Sequence, residues 1–391
     1  MERNPARQTG LDPLRRRSRL AAGLTAAAAV IAVIAVIAVI GTSAFAVGLP
    51  APKQAAGNYA GLTAASRGAL RGVAPYYLAL VSFGKPVDSG SRMEGQIRAT
   101  ATGKIIAVVR PPRPFGTLSV ITGAADDRTF VLAAQKTPYP PNQPVKYFLA
   151  RFHPASGQVT VRPLAIPETP ARDDLMGIDL SPDGADLAVA VTTGNPIRDA
   201  KVSIYSLRTG RVAAWRQAPG ATCTENDDPG CMSWSGRTLA FNWAGAADQQ
   251  GVWLLNTATR GGGLLASSRL AVSAGPSPFR GWHWNGDGLL TPDGRTVVMV
   301  IWEQLHRSSL EMEFQVFSAA TGKLLQTFHR VRGGNSESEC LQWSNPSGSV
   351  LVVAAPVTGT KTNVFGVLRD GRFTPLRGAP PTFAQLQSLV F

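Results

Sequence analysis

Ser181-Pro182-Asp183-Gly184-Ala185-Asp186-Leu187-Ala188-Val189 and Thr291-Pro292-Asp293-Gly294-Arg295-Thr296-Val297-Val298 carry one pattern, a turn followed by a short apolar strand. Pro presets φ for the first central residue of a turn, Asp bonds its own backbone, and Gly closes the turn. Weaker copies stand at Ala125-Asp126-Asp127, Ser233-Trp234-Ser235-Gly236 and Asn345-Pro346-Ser347-Gly348. A second series lies in fixed phase with the first: Ala101-Thr102-Gly103, Ala155-Ser156-Gly157, Arg208-Thr209-Gly210, Ala258-Thr259-Arg260-Gly261, Ala320-Thr321-Gly322 and Arg369-Asp370-Gly371. The glycine of these turns is expected to take a positive φ, which costs it nothing sterically.

One unit is therefore strand, turn, strand, loop, strand, turn, strand, repeating about every 50 residues. A four-stranded antiparallel sheet of that size has two apolar faces and cannot bury both alone. Radial stacking on its neighbours solves this, and the predicted fold is an all-β six-bladed β-propeller at 76–391. The blades are placed at 76–110, 115–166, 173–217, 230–270, 282–330 and 340–377. A seventh blade is possible if 53–75 hides one. The first blade opens abruptly at Tyr76-Tyr77-Leu78-Ala79-Leu80-Val81, and the chain ends on an orphan run, Phe383 to Phe391. That run is expected to supply the missing innermost strand of the first blade, closing the ring without an open sheet edge.

No charged residue occurs between Arg19 and Lys53, and Ala26 to Ile40 is a run of Ala, Val and Ile. A helix across a bilayer needs about 20 such residues. A transmembrane helix is placed at 20–47, after a basic cytoplasmic tail at 1–19 and before an Ala/Gly/Pro-rich linker at 48–75. Arg15, Arg16, Arg17 and Arg19 put the N-terminus inside and the bulk of the chain outside the membrane. Ala44-Phe45-Ala46 also fits a signal-peptide cleavage site, in which case the protein is secreted.

Of the 391 residues, 40 are Gly and 29 Pro, which argues against a helical bundle. Three cysteines and four histidines exclude a disulfide scaffold, a four-cysteine zinc site and a histidine-rich metal centre. The net charge of +14 offers attraction to anionic envelope polymers, but no basic stripe with aromatics marks a nucleic-acid surface. No G-x-S-x-G and no H-E-x-x-H occurs. No cofactor is expected.

The segments at Ser181 to Val189 and Thr291 to Val298 resemble WD40-like or TolB-type propeller repeats. With the basic flank and single anchor, the chain resembles uncharacterised actinobacterial membrane-anchored propeller proteins. That resemblance implies a fold and leaves the activity open, because propellers host many functions.

The loops joining second and third strands open on one edge of the ring and are the expected docking surface. Tyr139, Arg198, Asp248, Glu303, His306 and Lys361 are its candidate binding residues. Cys223 and Cys231 are expected to form a disulfide in the long loop between blades three and four. The expected partner is a protein or an envelope component. Two alternatives stay open: a calcium-dependent lactonase-like hydrolase, for which Asp179 is the obvious acid on the inner strands, and an accessory subunit of a membrane complex.

Overall fold

A computed structural model describes residues 72–83, 92–136, 143–193, 199–210, 212–222, 231–244, 249–274, 282–306, 309–333, 341–343, 351–356, 363–369, 372–376 and 386–391. The expected tail and transmembrane helix, and the linker up to residue 71, lie outside them. No helix among the described residues is long and apolar enough to cross a membrane.

The described strands fall into six sheets with the topology of an all-β propeller. The first holds β1 (Tyr76–Phe83), β2 (Arg92–Ala99) and β3 (Ile105–Val109). The second holds β4 (Phe115–Gly123), β5 (Thr129–Lys136), β6 (Lys146–His153) and β7 (Gln158–Pro163). The third holds β8 (Asp173–Leu180), β9 (Asp186–Thr193), β10 (Asp199–Ser206) and β11 (Val212–Gln217). The fourth holds β12 (Ala221–Thr222), β13 (Met232–Ser235), β14 (Thr238–Ala244) and β15 (Gly251–Asn256), with β17 (Ser268–Ser273). Between those last two, β16 (Gly262–Gly263) leaves the fourth sheet and pairs in parallel with β11 on the outer edge of the third. The fifth holds β18 (Trp282–Leu290), β19 (Thr296–His306), β20 (Ser309–Ser318) and β21 (Leu324–Gly333). The sixth holds β22 (Leu341–Trp343), β23 (Leu351–Pro356), β24 (Asn363–Arg369) and β25 (Arg372–Pro375).

The last strand, β26 (Leu386–Val390), returns to the first sheet. It runs antiparallel to β1, with Leu78 opposite Val390 and Leu80 opposite Ser388. The sheet order is β26-β1-β2-β3, so the end of the chain supplies an edge strand beside β1, as expected from the orphan run.

Each sheet buries both faces. Leu78, Ile97 and Val390 of the first pack on Leu118, Phe130 and Phe148 of the second. Val131 and Tyr147 of the second pack on Val189 and Tyr205 of the third. Ala190, Val202 and Trp215 of the third meet Trp234, Phe241 and Trp243 of the fourth. Val252 and Val272 of the fourth meet Val297 and Met299 of the fifth. Val300 and Phe314 of the fifth meet Leu351 and Leu368 of the sixth. Phe365 and Val367 of the sixth meet Tyr77, Leu389 and Phe391, back on the first sheet.

The turns follow their chemistry. In the Ser-Pro-Asp-Gly turn, the Gly184 amide donates to the Ser181 carbonyl at 2.7 Å and the Ser181 hydroxyl to Asp183 Oδ1 at 2.7 Å. Thr291 and Asp293 repeat this at 2.6 Å. Gly184 and Gly294 take φ of 68° and 73°, and Gly103, Gly157, Gly210 and Gly322 all take 68°. Where the weaker copy lacks glycine, Asp127 itself takes a φ of 53°.

Two expectations are corrected. The long loop holding the cysteines does not lie between sheets three and four. It interrupts the inner edge of sheet four, because Thr222 pairs with Trp243 and Met232 with Phe241 of the same strand. Glu303 and His306, expected in a loop, belong to β19, whose pairing with β20 continues to His306 opposite Ser309.

Candidate binding groove

Tyr139, Arg198, Asp248 and Lys361 lie outside the described residues. Glu303 is half-buried on β19, directly between Trp282 and Glu311 in register. Two residues along β20, Glu313 is buried with Glu311, and Gln315 Nε2 donates to Glu313 Oε2 at 2.7 Å. Arg332 and Arg330 stand opposite these two glutamates in register. Sequence reasoning placed Glu303 among the site residues and missed its acidic neighbours. The alternation Glu311-Met312-Glu313-Phe314-Gln315 was their signal, a strand with one polar and one apolar face.

One concavity stands at the end of sheet three where β9 closes and β10 opens. It is a half-open groove of about 1190 Å³ beside the face of sheet three that looks toward sheet two. Directly opposite residues of antiparallel strands share a face, so the register sets the floor in rows. At the loop end, Asp173, Thr193 and Asp199 form the first row. Val191, Lys201 and Arg216 form the second, then Val189, Ser203 and Ala214, and then Leu187, Tyr205 and Val212. Val212, 49% exposed, gives the end of the floor an accessible apolar surface.

The connection from β7 to β8 forms the opposite wall. Its Thr169 exchanges both backbone hydrogen bonds with Val145, at 2.9 and 3.0 Å. The Tyr147 and Thr169 hydroxyls meet at 2.5 Å, and burial pushes the Tyr147 phenol well above its usual range. Salt bridges join Lys146 to Glu168 at 3.5 Å and Arg172 to Asp173 at 3.8 Å. The wall is thus anchored to sheet two, while the groove faces sheet three.

Asp179 lies on the inner strand β8. Thr122 Oγ1 of sheet two donates to its Oδ1 at 3.0 Å and accepts from the Leu180 amide at 3.1 Å. Trp234 Nε1 of sheet four donates to its carbonyl at 3.3 Å. Asp179 keeps some accessible surface, yet burial drives its carboxyl well above the usual range, against the pull of the Thr122 hydrogen bond. It ties three consecutive sheets together. Among the described residues, no group of three His, Cys, Asp or Glu side chains is arranged to hold a metal ion.

Cys231 is disulfide-bonded. Cys223, its expected partner, lies outside the described residues.

No protein-family model matches the chain, and no curated protein matches it. Solved structures do. Oligogalacturonate lyase from Vibrio parahaemolyticus is 12% identical with a TM-score of 0.44, over 76% of this chain and 74% of that one. A putative 6-phosphogluconolactonase from Bacteroides fragilis is 13% identical with a TM-score of 0.40, over 76% and 80%. A prolyl endopeptidase is 13% identical with a TM-score of 0.45, over 82% of this chain and 51% of that one. Likeness at this level carries no activity across, and the fold rests on the sheets themselves.

Proposed function

We propose that this chain is a binding module of the cell envelope, a six-bladed ring held at a membrane by its N-terminal segment. It takes a protein or envelope ligand on the edge that carries the second-to-third-strand loops. The observation that carries this reading is the groove between sheets two and three. It is concave, lined by both polar and apolar groups, and floored by paired strands. A rigid scaffold with variable loops is where recognition collects. The anchor is supported by the uncharged run after Arg19 and its basic flank.

Cys223 is the proposed partner of Cys231. Thr222 and Met232 pair with Trp243 and Phe241, two residues apart on one strand, so the inserted loop leaves and returns at one place. A disulfide there closes the neck of the loop.

Photo-crosslinking side chains in place of Arg198 and Lys361, in intact cells, test the binding reading against one in place of Lys104 in a turn of the other series. Adducts specific to the first two positions are expected. Adducts of equal yield from all three, or none, refute it. Protease shaving of spheroplasts should digest 76–391 from outside; protection of that region refutes the orientation.

A further inference from the structure

The charges of the groove are segregated, and this deepens the binding reading on which it rests. Lys201 and Arg216 are directly opposite one another on β10 and β11. Like charges so placed repel and destabilise a sheet. Among the described residues, neither side chain has an ion-pair or hydrogen-bond partner. Of the acids nearby, Glu168 of the opposite wall is engaged with Lys146 and Asp173 of the first row with Arg172, while Asp174, also in the lining, stands beside Asp173 at the far end of the floor. The next row toward the loop carries the opposite sign. Asp199 is exposed there, two residues from Lys201 on the same strand and same face, and among the described residues its carboxylate also has no partner. Two residues of strand put these rows about 7 Å apart. On a convex surface, alternating charge of this kind would serve solubility alone. Here all three groups line one cavity, over Ser203, Tyr205 and the exposed Val212.

We propose that the groove binds a zwitterion. An oxyanion sits between Lys201 and Arg216, and a cationic group about two strand residues away faces Asp199. The body that joins them lies along the groove floor. A purely anionic ligand would meet Asp199 unfavourably, and a purely cationic one would meet Lys201 and Arg216.

The test uses the full chain in detergent and ligand-observed NMR titration with four probes: 6-aminohexanoate, hexanoate, hexylamine and glycine. The first has both charges at a matching separation, the next two have one each, and glycine has both too close together. Binding of 6-aminohexanoate at least ten-fold tighter than the other three is expected. Lys201→Gln, Arg216→Gln and Asp199→Asn should each weaken it about ten-fold, the scale of one lost charge-assisted contact. Lys323→Gln, in a turn of the fifth sheet, should leave it unchanged. The three groove positions are accessible on strand surfaces, and unchanged melting temperatures will confirm that the variants fold. Equal binding of hexanoate, no binding of 6-aminohexanoate, or binding indifferent to the three variants overturns the proposal. If the loop crosslinks still form in any of those cases, the binding module stands and only the groove's ligand class falls. Loss of the crosslinks as well removes both.

Discussion

Removing residues 386–391 should unfasten the first sheet. Leu389, Val390 and Phe391 are 1%, 0% and 5% exposed, and the Phe391 ring lies 5.6 Å from that of Tyr77. Burying one such side chain contributes about 1.5–3 kcal/mol, so the three together contribute about 5–9 kcal/mol. Native stability is typically about 5–15 kcal/mol, so the deletion removes most of it. It also bares the edge of β1 and the apolar face between the sixth and first sheets. Thermal unfolding followed by far-UV circular dichroism should show loss of a single cooperative transition, or a melting temperature lowered by well over ten degrees. A synthetic peptide of residues 383–391, added in trans, should restore part of it. A truncated chain melting within two or three degrees of the full one would refute the argument that the terminal strand fastens the fold.

Tyr77→Phe should be neutral or stabilising by about 1 kcal/mol, because the buried hydroxyl has no hydrogen-bond partner among the described residues and its desolvation is uncompensated. Burial raises that phenol to about 12, and a denaturant midpoint lowered by the substitution would contradict this. Asp179 binds its proton more tightly folded than unfolded, so its contribution is intact below its ordinary value of 3.8 and is lost as pH rises through the raised folded value. Asp179→Asn keeps an acceptor for Thr122 and removes the charge, so its melting temperature should exceed wild type at pH 8 and match it at pH 4. A difference independent of pH would count against the explanation. Tyr147→Phe deletes the contact with buried Thr169 and should cost about 1–2 kcal/mol. Faster hydrogen exchange should be confined to 164–172, and exchange unchanged there would show that this bond does not hold the groove wall.

The turns were the legible part. Ser181, Pro182, Asp183 and Gly184 each have a local reason for their place, and positive φ at Gly103, Gly157, Gly210 and Gly322 follows from residue type alone. The terminal pairing was also legible, because an unpartnered apolar run must find an edge. What failed to show had no local signature. The inner strand before the cysteine loop is only Ala221–Thr222, too short for alternation to register. The Gly262–Gly263 pair has no side chains by which to announce a crossing to the neighbouring sheet. The groove depends on register, since Lys201 and Arg216 stand fifteen positions apart in sequence and become neighbours only through the β10–β11 pairing. Of the loop residues chosen for docking, Glu303 alone is described with its side chain, and its neighbourhood is acidic by virtue of the same pairing.

The pairing of β26 with β1 also imposes an order on biogenesis. The strand that waits is made before its mate, so the hydrogen-bonding edge of Leu78 and Leu80 stays open while the intervening sheets are synthesised. Nascent chains therefore pass through a state with a sticky, uncovered margin. Until the circle is fastened, that margin can pair with the same margin of another unfinished copy.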